Sequence, residues 1–308
     1  MTSARPDEML SPGLAAEART KSVLIVANPT SGGYRPADLA ELVKILSASG
    51  YDTRLHLTTH AGEIEEIAGD RNLAIDVLAI AGGDGSVNEA LTGFQNNPAP
   101  PALAIIPCGT ANVLAHELGL PRRPAETARM ILGQRTSPLS FGLANGHPFV
   151  LMASAGFDAE VVHGISLALK RKLGKLAYVL TALKIGLTRK SSDLAVEIDD
   201  VTYHGKLAVA TNGRFYGGPF VVSPDASVIA PGLHVLILEK DDPLSTLRFG
   251  LALVLGRVHR SGGVKVLPAT SLSITSGRPV AAQIDGDPFG TAPLEVSAAR
   301  ETVAIVVP

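Results

Sequence analysis

With 308 residues, the chain is long enough for two domains at roughly 100–200 residues each. Hydrophobic residues make up 46% and charged residues 18%, alongside 31 Gly and 21 Pro, a balance that excludes a disordered chain. A formal net charge of −2 excludes overall attraction to nucleic acid, so no such partner is expected, and the single Cys108 excludes an internal disulfide and a cysteine-based zinc site.

Residues 1–20 lack the apolar centre of a signal peptide and read as a loose tail. No apolar run reaches the roughly 18 residues of a spanning helix, so a cytoplasmic location is expected. From Ser22 onward strands and helices alternate. The pattern predicts a strand over 23–27, a Gly/Pro loop, a helix over 37–49, a strand over 52–58 and a helix near 62–69. A strand over 76–81, a glycine turn, a helix from about Ser86 and a strand over 103–106 follow. His56 and His60 stand four apart, a spacing that suits metal on a helix. The segment between them reads as strand running into turn, so no metal is assigned there.

Short apolar strands alternating with helices predict a parallel sheet covered on both faces, with ligands outside the carboxyl ends of its strands. After about residue 136 the rhythm changes to strands separated by turns, over 148–154, 194–198, 205–212, 233–238 and 271–274. Helical stretches over 165–187 and 244–258 interrupt them. The expected organisation is an α/β domain over 21–135, which strands within 291–308 rejoin, and a β-rich domain over 136–290.

Three loops at strand ends carry the chemistry. Asn28-Pro29-Thr30-Ser31-Gly32-Gly33 puts small hydroxyl residues beside glycines that curl toward a phosphate, although the same residues form ordinary turns. Gly82-Gly83-Asp84-Gly85-Ser86-Val87-Asn88-Glu89 lets backbone N–H groups approach an anion at a helix N-terminus. Asp84 would repel that anion unless it binds Mg²⁺ or a hydroxyl. In the purely structural alternative, Ser86 caps the helix and Glu89 completes a capping box. The third loop is Pro107-Cys108-Gly109-Thr110-Ala111-Asn112, where Thr110 either caps a helix or bonds a phosphate. Three such loops at successive strand ends converge on one crevice, which favours a nucleotide. Walker, protein-kinase and Rossmann fingerprints are absent.

In order and spacing these loops resemble the catalytic domain of diacylglycerol, sphingosine and related lipid kinases. The resemblance extends through Gly156-Phe157-Asp158, Thr211-Asn212-Gly213, Pro224-Asp225-Ala226 and Asp285-Gly286-Asp287-Pro288. It implies a NAD-kinase-like α/β nucleotide-binding domain joined to a β-sandwich-like domain, with ATP and a lipid hydroxyl substrate in the cleft between. It implies ATP contacts from Asn28, Pro29, Thr30, Ser31, Gly32, Thr58, Gly83, Asp84, Gly85, Ser86, Val87, Asn88, Glu89, Gly109 and Thr110. Asp84 is implied to organise Mg²⁺ and the phosphates. Asp287 falls where the family usually has a glutamate as general base, with Asp285 as the fallback. An Asp-Gly-Asp-Pro run is also an ordinary hairpin turn.

Two further departures stand out. Ser86 replaces the usual threonine, and Pro231-Gly232 replaces an Asp-Gly pair, which removes the carboxylate of a structural Mg²⁺ site. Lys170, Arg171, Lys172, Lys175, Lys184, Arg189 and Lys190 interleave with leucines, a pattern that suits peripheral contact with an anionic bilayer as well as a solvated helix. A homodimer is compatible with the sequence. The alternatives are a NAD-kinase-like phosphotransferase, which shares Gly-Gly-Asp-Gly, and a catalytically idle nucleotide- or lipid-binding protein.

Overall fold

The computed structural model describes residues 20–164 and 193–308. In the first half, β1 (Ser22–Ala27), β2 (Asp52–Leu57), β3 (Val77–Gly82) and β4 (Ala102–Pro107) lie parallel in the order β2-β1-β3-β4. All six residues of β3 are buried, as a central strand covered on both faces requires. Helix α1 (Pro36–Ala48) opens on a proline whose fixed φ suits the first turn, and it buries Leu39, Leu42 and Leu46 at three- and four-residue spacing. Helices α2 (Glu63–Gly69), α3 (Asp84–Phe94) and α4 (Val113–Glu117) each follow a strand. Helix α5 (Pro124–Gly133) has no counterpart among the sequence expectations, although Pro124 at its start and buried Ala128 and Ile131 one turn apart are helix signals.

The far edge of this sheet corrects two boundaries. β5 (Thr136–Leu139), expected in the second domain, pairs antiparallel with β20 (Val303–Val306), which itself lies parallel to β4. The chain therefore leaves the first sheet only after residue 139, and its last strand returns to it. The other returning segment, β19 (Leu294–Ala298), instead pairs within the second half. Both strands have the same apolar alternation, so local pattern cannot tell which sheet each joins.

The second half holds two antiparallel sheets. One contains β6 (Gly142–Ala144), β7 (His147–Phe149), β9 (Leu194–Ile198), β10 (Val201–Gly205), β16 (Ser271–Ser276) and β19, in the order β10-β9-β16-β19-β6-β7. The other contains β8 (Met152–Gly156), β11 (Leu207–Thr211), β14 (Leu233–Leu238), β15 (Val264–Ala269), β17 (Ala281–Ile284) and β18 (Asp287–Thr291), in the order β15-β14-β11-β8-β17-β18. Val196, Ile274 and Leu294 of the first meet Ala208, Val235 and Ala282 of the second in one buried cluster, which makes a sandwich. A short hairpin, β12 (Phe215–Tyr216) with β13 (Phe220–Val221), stands outside both sheets.

Two helices complete the described residues, α6 (Phe157–Gly164) and α7 (Pro243–Val254). The second was expected to run to residue 258. It stops because Gly256 adopts φ +64 and the N–H of Arg257 turns back to the carbonyl of Ala252, a glycine-terminated helix end. The tail and the basic stretch carrying Lys170, Arg171, Lys172, Lys175, Lys184, Arg189 and Lys190 lie outside the described residues. No described helix is long and apolar enough to cross a membrane.

Candidate active site

Because β1, β3 and β4 are parallel neighbours, the loops that follow them emerge at one edge of the sheet. The structure locks these loops together. In the first, Asn28 Oδ1 accepts from the N–H of Thr30 at 2.9 Å and from its hydroxyl at 2.7 Å, and the N–H of Gly33 donates to the carbonyl of Cys108 at 2.7 Å. A Cβ placed on Gly32 would stand 3.3 Å from Thr110 Oγ1, so the first and third loops are in contact. The second and third touch more closely, since a Cβ on Gly109 would lie 2.5 Å from the Cα of Gly83. Asn112, at φ +48, clasps Gly109 by accepting from its N–H and donating to its carbonyl, both at 2.7 Å. Pro29, Thr30, Gly32 and Thr110 are exposed on this edge, and Thr58 joins it from the end of β2.

Close backbone approach at Gly109 gives a direct expectation. Gly109→Ala forces the second and third loops apart, and its nucleotide affinity falls at least about tenfold while the thermal transition stays cooperative. Isothermal titration with the nucleotide beside a melting curve checks both halves.

Several residues of the second loop hold other positions than the sequence suggested. Helix α3 begins at Asp84 with Gly83 as its N-cap and no side-chain cap. Ser86 is buried inside the first turn rather than capping it, and the capping box is absent because the helix starts two residues early. The Glu89 carboxyl faces the backbone N–H groups of Gly62 and Ile64 at the start of α2, which lower its pKa, although burial raises it on balance. Val87 is a core residue. Asn88 spends its amide on the carbonyl of Pro148 at 2.8 Å and on Asp285 Oδ2 at 3.0 Å, which clamps α3 to the β-rich half.

The three aspartates differ sharply in surroundings. Asp84 accepts from the N–H groups of Val113 and Leu114 at 3.0 Å each, a charge-assisted cap on α4, while burial raises its pKa from the ordinary aspartate value. Asp285 as a whole residue is partly exposed in its turn, but its carboxyl is enclosed. Val150 N–H and Asn88 donate to Oδ2, Leu151 N–H and Met152 N–H donate to Oδ1, and burial pushes its pKa up to about 6. These bonds explain why the single strand expected over 148–154 breaks into β7 and β8: the backbone between them turns to the carboxylate. With both oxygens committed to four donors, Asp285 is not poised as the fallback base.

Asp287 is the exposed member. Asp285 at φ +49 and Gly286 at φ +88 form a two-residue hairpin turn that leads straight into Asp287 at the head of β18. Its Oδ2 lies 3.2 Å from the position of a Cβ on Gly85, and its charge reaches Glu89. The hairpin expected from composition and the carboxylate expected from the resemblance are thus one feature, set against the N-terminus of α3.

A buried network supports that hairpin. Gly286 N–H donates to Gln283 Oε1 at 2.8 Å, Gln283 Nε2 donates to Ser154 Oγ at 2.7 Å, and Ser154 donates to Asp158 Oδ2 at 2.6 Å. Tyr216 also donates to Asp158 at 3.0 Å. Burial raises the pKa of Asp158 and, with the neighbouring Asp158 charge, raises that of Tyr216 well above its usual value. Gly156-Phe157-Asp158 marked one member in the sequence; Gln283 and Tyr216 carried no local signal.

His56 bonds Glu63 at 2.6 Å, and Glu63, held chiefly by the Thr59 N–H and then by His56, is drawn down to about 2. No group of three metal-type side chains occurs among the described residues. A concavity of about 800 Å³ lies on the sheet containing β9 and β19, lined in part by Glu197, Asp199, Asp200 and Glu295. Those carboxylates would repel a polyphosphate, unlike the backbone N–H groups of the three-loop edge, which is the nucleotide candidate.

Comparison with known proteins agrees with the two-part fold. Residues 22–144 match the diacylglycerol kinase catalytic domain, and residues 152–307 match the YegS C-terminal NAD kinase beta sandwich-like domain. The chain is 27% identical over 293 residues to a diacylglycerol kinase of Bacillus subtilis, covering 94% of this chain and 97% of that one. It is 34% identical over 233 residues to a Pseudomonas aeruginosa protein named "Probable lipid kinase YegS-like", covering 73% and 75% of the two chains. A crystal structure of a diacylglycerol kinase from Bacillus anthracis shares the fold, with a TM-score of 0.77 at 23% identity over 95% of this chain and 99% of that one.

Proposed function

The chain belongs to the family of diacylglycerol and related lipid kinases, and from that premise we propose that it transfers the γ-phosphoryl group of ATP to the hydroxyl of a lipid of the diacylglycerol type. The acceptor class follows the names of the relatives. The observation that carries the mechanism is Asp287 held beside Gly85, where three glycine-bearing loops meet.

Backbone donors of those loops and the N-terminus of α3 take the phosphates, with Ser31 and Thr110 as hydroxyl donors. Asp287 accepts the proton of the attacking hydroxyl, and the resulting alkoxide-like oxygen bonds to the γ-phosphorus as ADP departs. Asn88 and Asp285 position the hairpin by tying it to α3 and to the β7–β8 connection. Asp84 fits a further role. A buried carboxylate with a raised pKa is relieved by a nearby cation, and each of its oxygens keeps a second lone pair after its bond to α4. Asp84 is therefore the residue that would hold Mg²⁺ brought with the nucleotide, and Mg²⁺ when bound neutralises phosphate charge.

The test is incubation of the purified protein with γ-labelled ATP, NAD in solution and vesicles containing diacylglycerol, a sphingoid base or phosphatidylglycerol, with and without Mg²⁺. Labelled phosphatidic acid formed only with Mg²⁺ is the expected result. Label on the sphingoid base or phosphatidylglycerol instead would move the acceptor, and label on NAD alone would replace the lipid reading with that of a NAD-kinase-like enzyme.

A further inference from the structure

The outer face of α7 is a row of aliphatic side chains that nothing described in the structure covers. Leu244, Leu247, Leu251 and Val254 recur at three- and four-residue spacing and are 55%, 69%, 58% and 67% exposed, and Leu255 just beyond them is 58% exposed. Soluble surfaces rarely keep such a contiguous stripe without a use. The inner face is accounted for, since Phe249, Ala252 and Leu253 pack on the main core. The helix also touches β13, whose hairpin partner β12 carries Tyr216 against Asp158. A chain of contacts thus runs from α7 through this short hairpin to Asp158 and on to the network that braces the Asp287 turn.

We propose that the exposed face of α7 is the surface by which this enzyme sits on a lipid bilayer, with Leu244, Leu247, Leu251, Val254 and Leu255 entering the boundary between headgroups and acyl chains. The proposal rests on the reading that the acceptor is a lipid, and it names the place where enzyme and substrate phase meet. Charge favours a bilayer as the occupant. The helix contains no acidic residue, Arg248 lies exposed beside the stripe, and Arg257 and Arg260 are exposed just past its end, as cations that meet anionic headgroups. The acidic pair Asp241 and Asp242 stands at the opposite end, where Asp242 caps the helix. The composition of the stripe points the same way. It is aliphatic throughout, whereas protein interfaces are enriched in aromatic residues and methionine.

The test uses the full chain without nucleotide, so that it reads binding rather than phosphoryl transfer. Flotation with phosphatidylcholine vesicles, with and without phosphatidylglycerol, compares the native sequence with Leu247→Asp/Leu251→Asp and with Arg257→Glu/Arg260→Glu. All four positions are exposed, and melting curves establish that the variants fold. The expected results are vesicle binding strengthened by phosphatidylglycerol, at least about tenfold weaker binding in the leucine pair, and loss of the anionic preference in the arginine pair. Activity on a short-chain acceptor dissolved as monomers stays within about twofold in both variants. Unchanged flotation of the leucine pair overturns the proposal. If light scattering then shows that variant as a monomer where the native chain is a dimer, the face belongs to a second copy; if its melting temperature drops instead, other residues of this chain cover it. A protein that floats as expected but labels no lipid would sink the proposed acceptor and leave the docking face standing.

Discussion

Asp287→Asn lowers kcat for lipid phosphorylation by about 10²–10⁴-fold, the span expected when a positioned general base is removed, and leaves the Kd for nucleotide within about threefold. The amide keeps the size and the hairpin, so the loss falls on proton transfer rather than on folding or on the loops that take the phosphates. Asp287→Glu supplies a second, sharper reading. The extra methylene carries the carboxylate farther from the backbone, toward the length the family usually uses, so its rate equals or exceeds that of the native chain. Steady-state rates on diacylglycerol vesicles with nucleotide titration measure all of this. An Asn variant within tenfold of the native rate would remove Asp287 from the chemistry and leave the hairpin as scaffold.

Asp285→Ala is expected to be the most destabilising single change at the site. It strands four donors, the N–H groups of Val150, Leu151 and Met152 and the amide of Asn88, in an enclosed position. At about 1 kcal/mol or more for each unsatisfied donor, the loss is about 4 kcal/mol or more, read from urea unfolding at neutral pH. Activity falls in step with it, because the same carboxylate joins α3, the β7–β8 connection and the Asp287 hairpin. The native residue also leaves a pH signature. Its folded pKa is raised to about 6, so between pH about 4 and about 6 the folded state holds a proton that the unfolded chain has released. Its contribution to stability is therefore greatest below pH about 4 and declines as pH rises toward 6. The Asp285→Asn variant lacks that decline, and a flat difference between the two unfolding profiles over this window would refute the assignment.

The division of labour among the aspartates was only partly legible in the sequence. Asp84, Asp285 and Asp287 all sit in glycine-rich turns, and in one dimension each was a fair candidate for catalysis or metal binding. What separates them is which donors the tertiary fold brings within reach. Helix α4 takes Asp84, the β7–β8 connection takes Asp285, and Asp287 alone stays exposed toward Gly85. Asn88 shows the same limit, since its position beside the phosphate loop suggested a ligand and its amide instead holds two halves of the chain together.

By itself the sequence determined the alternating α/β order of the first half, the parallel sheet and the three loops at its carboxyl edge, because apolar periodicity and glycine placement act over a few residues. It also determined the β character of the second half and, through the order of its motifs, the kinase family. Only the tertiary structure decided that residues 136–139 extend the first sheet, that 294–298 stay in the sandwich, and that Gln283, Ser154 and Asp158 brace the hairpin. It also decided that α7 turns aliphatic residues outward. Strand partners, buried hydrogen bonds and the outward face of a helix depend on residues a hundred or more positions away, and no local pattern encodes where those will stand.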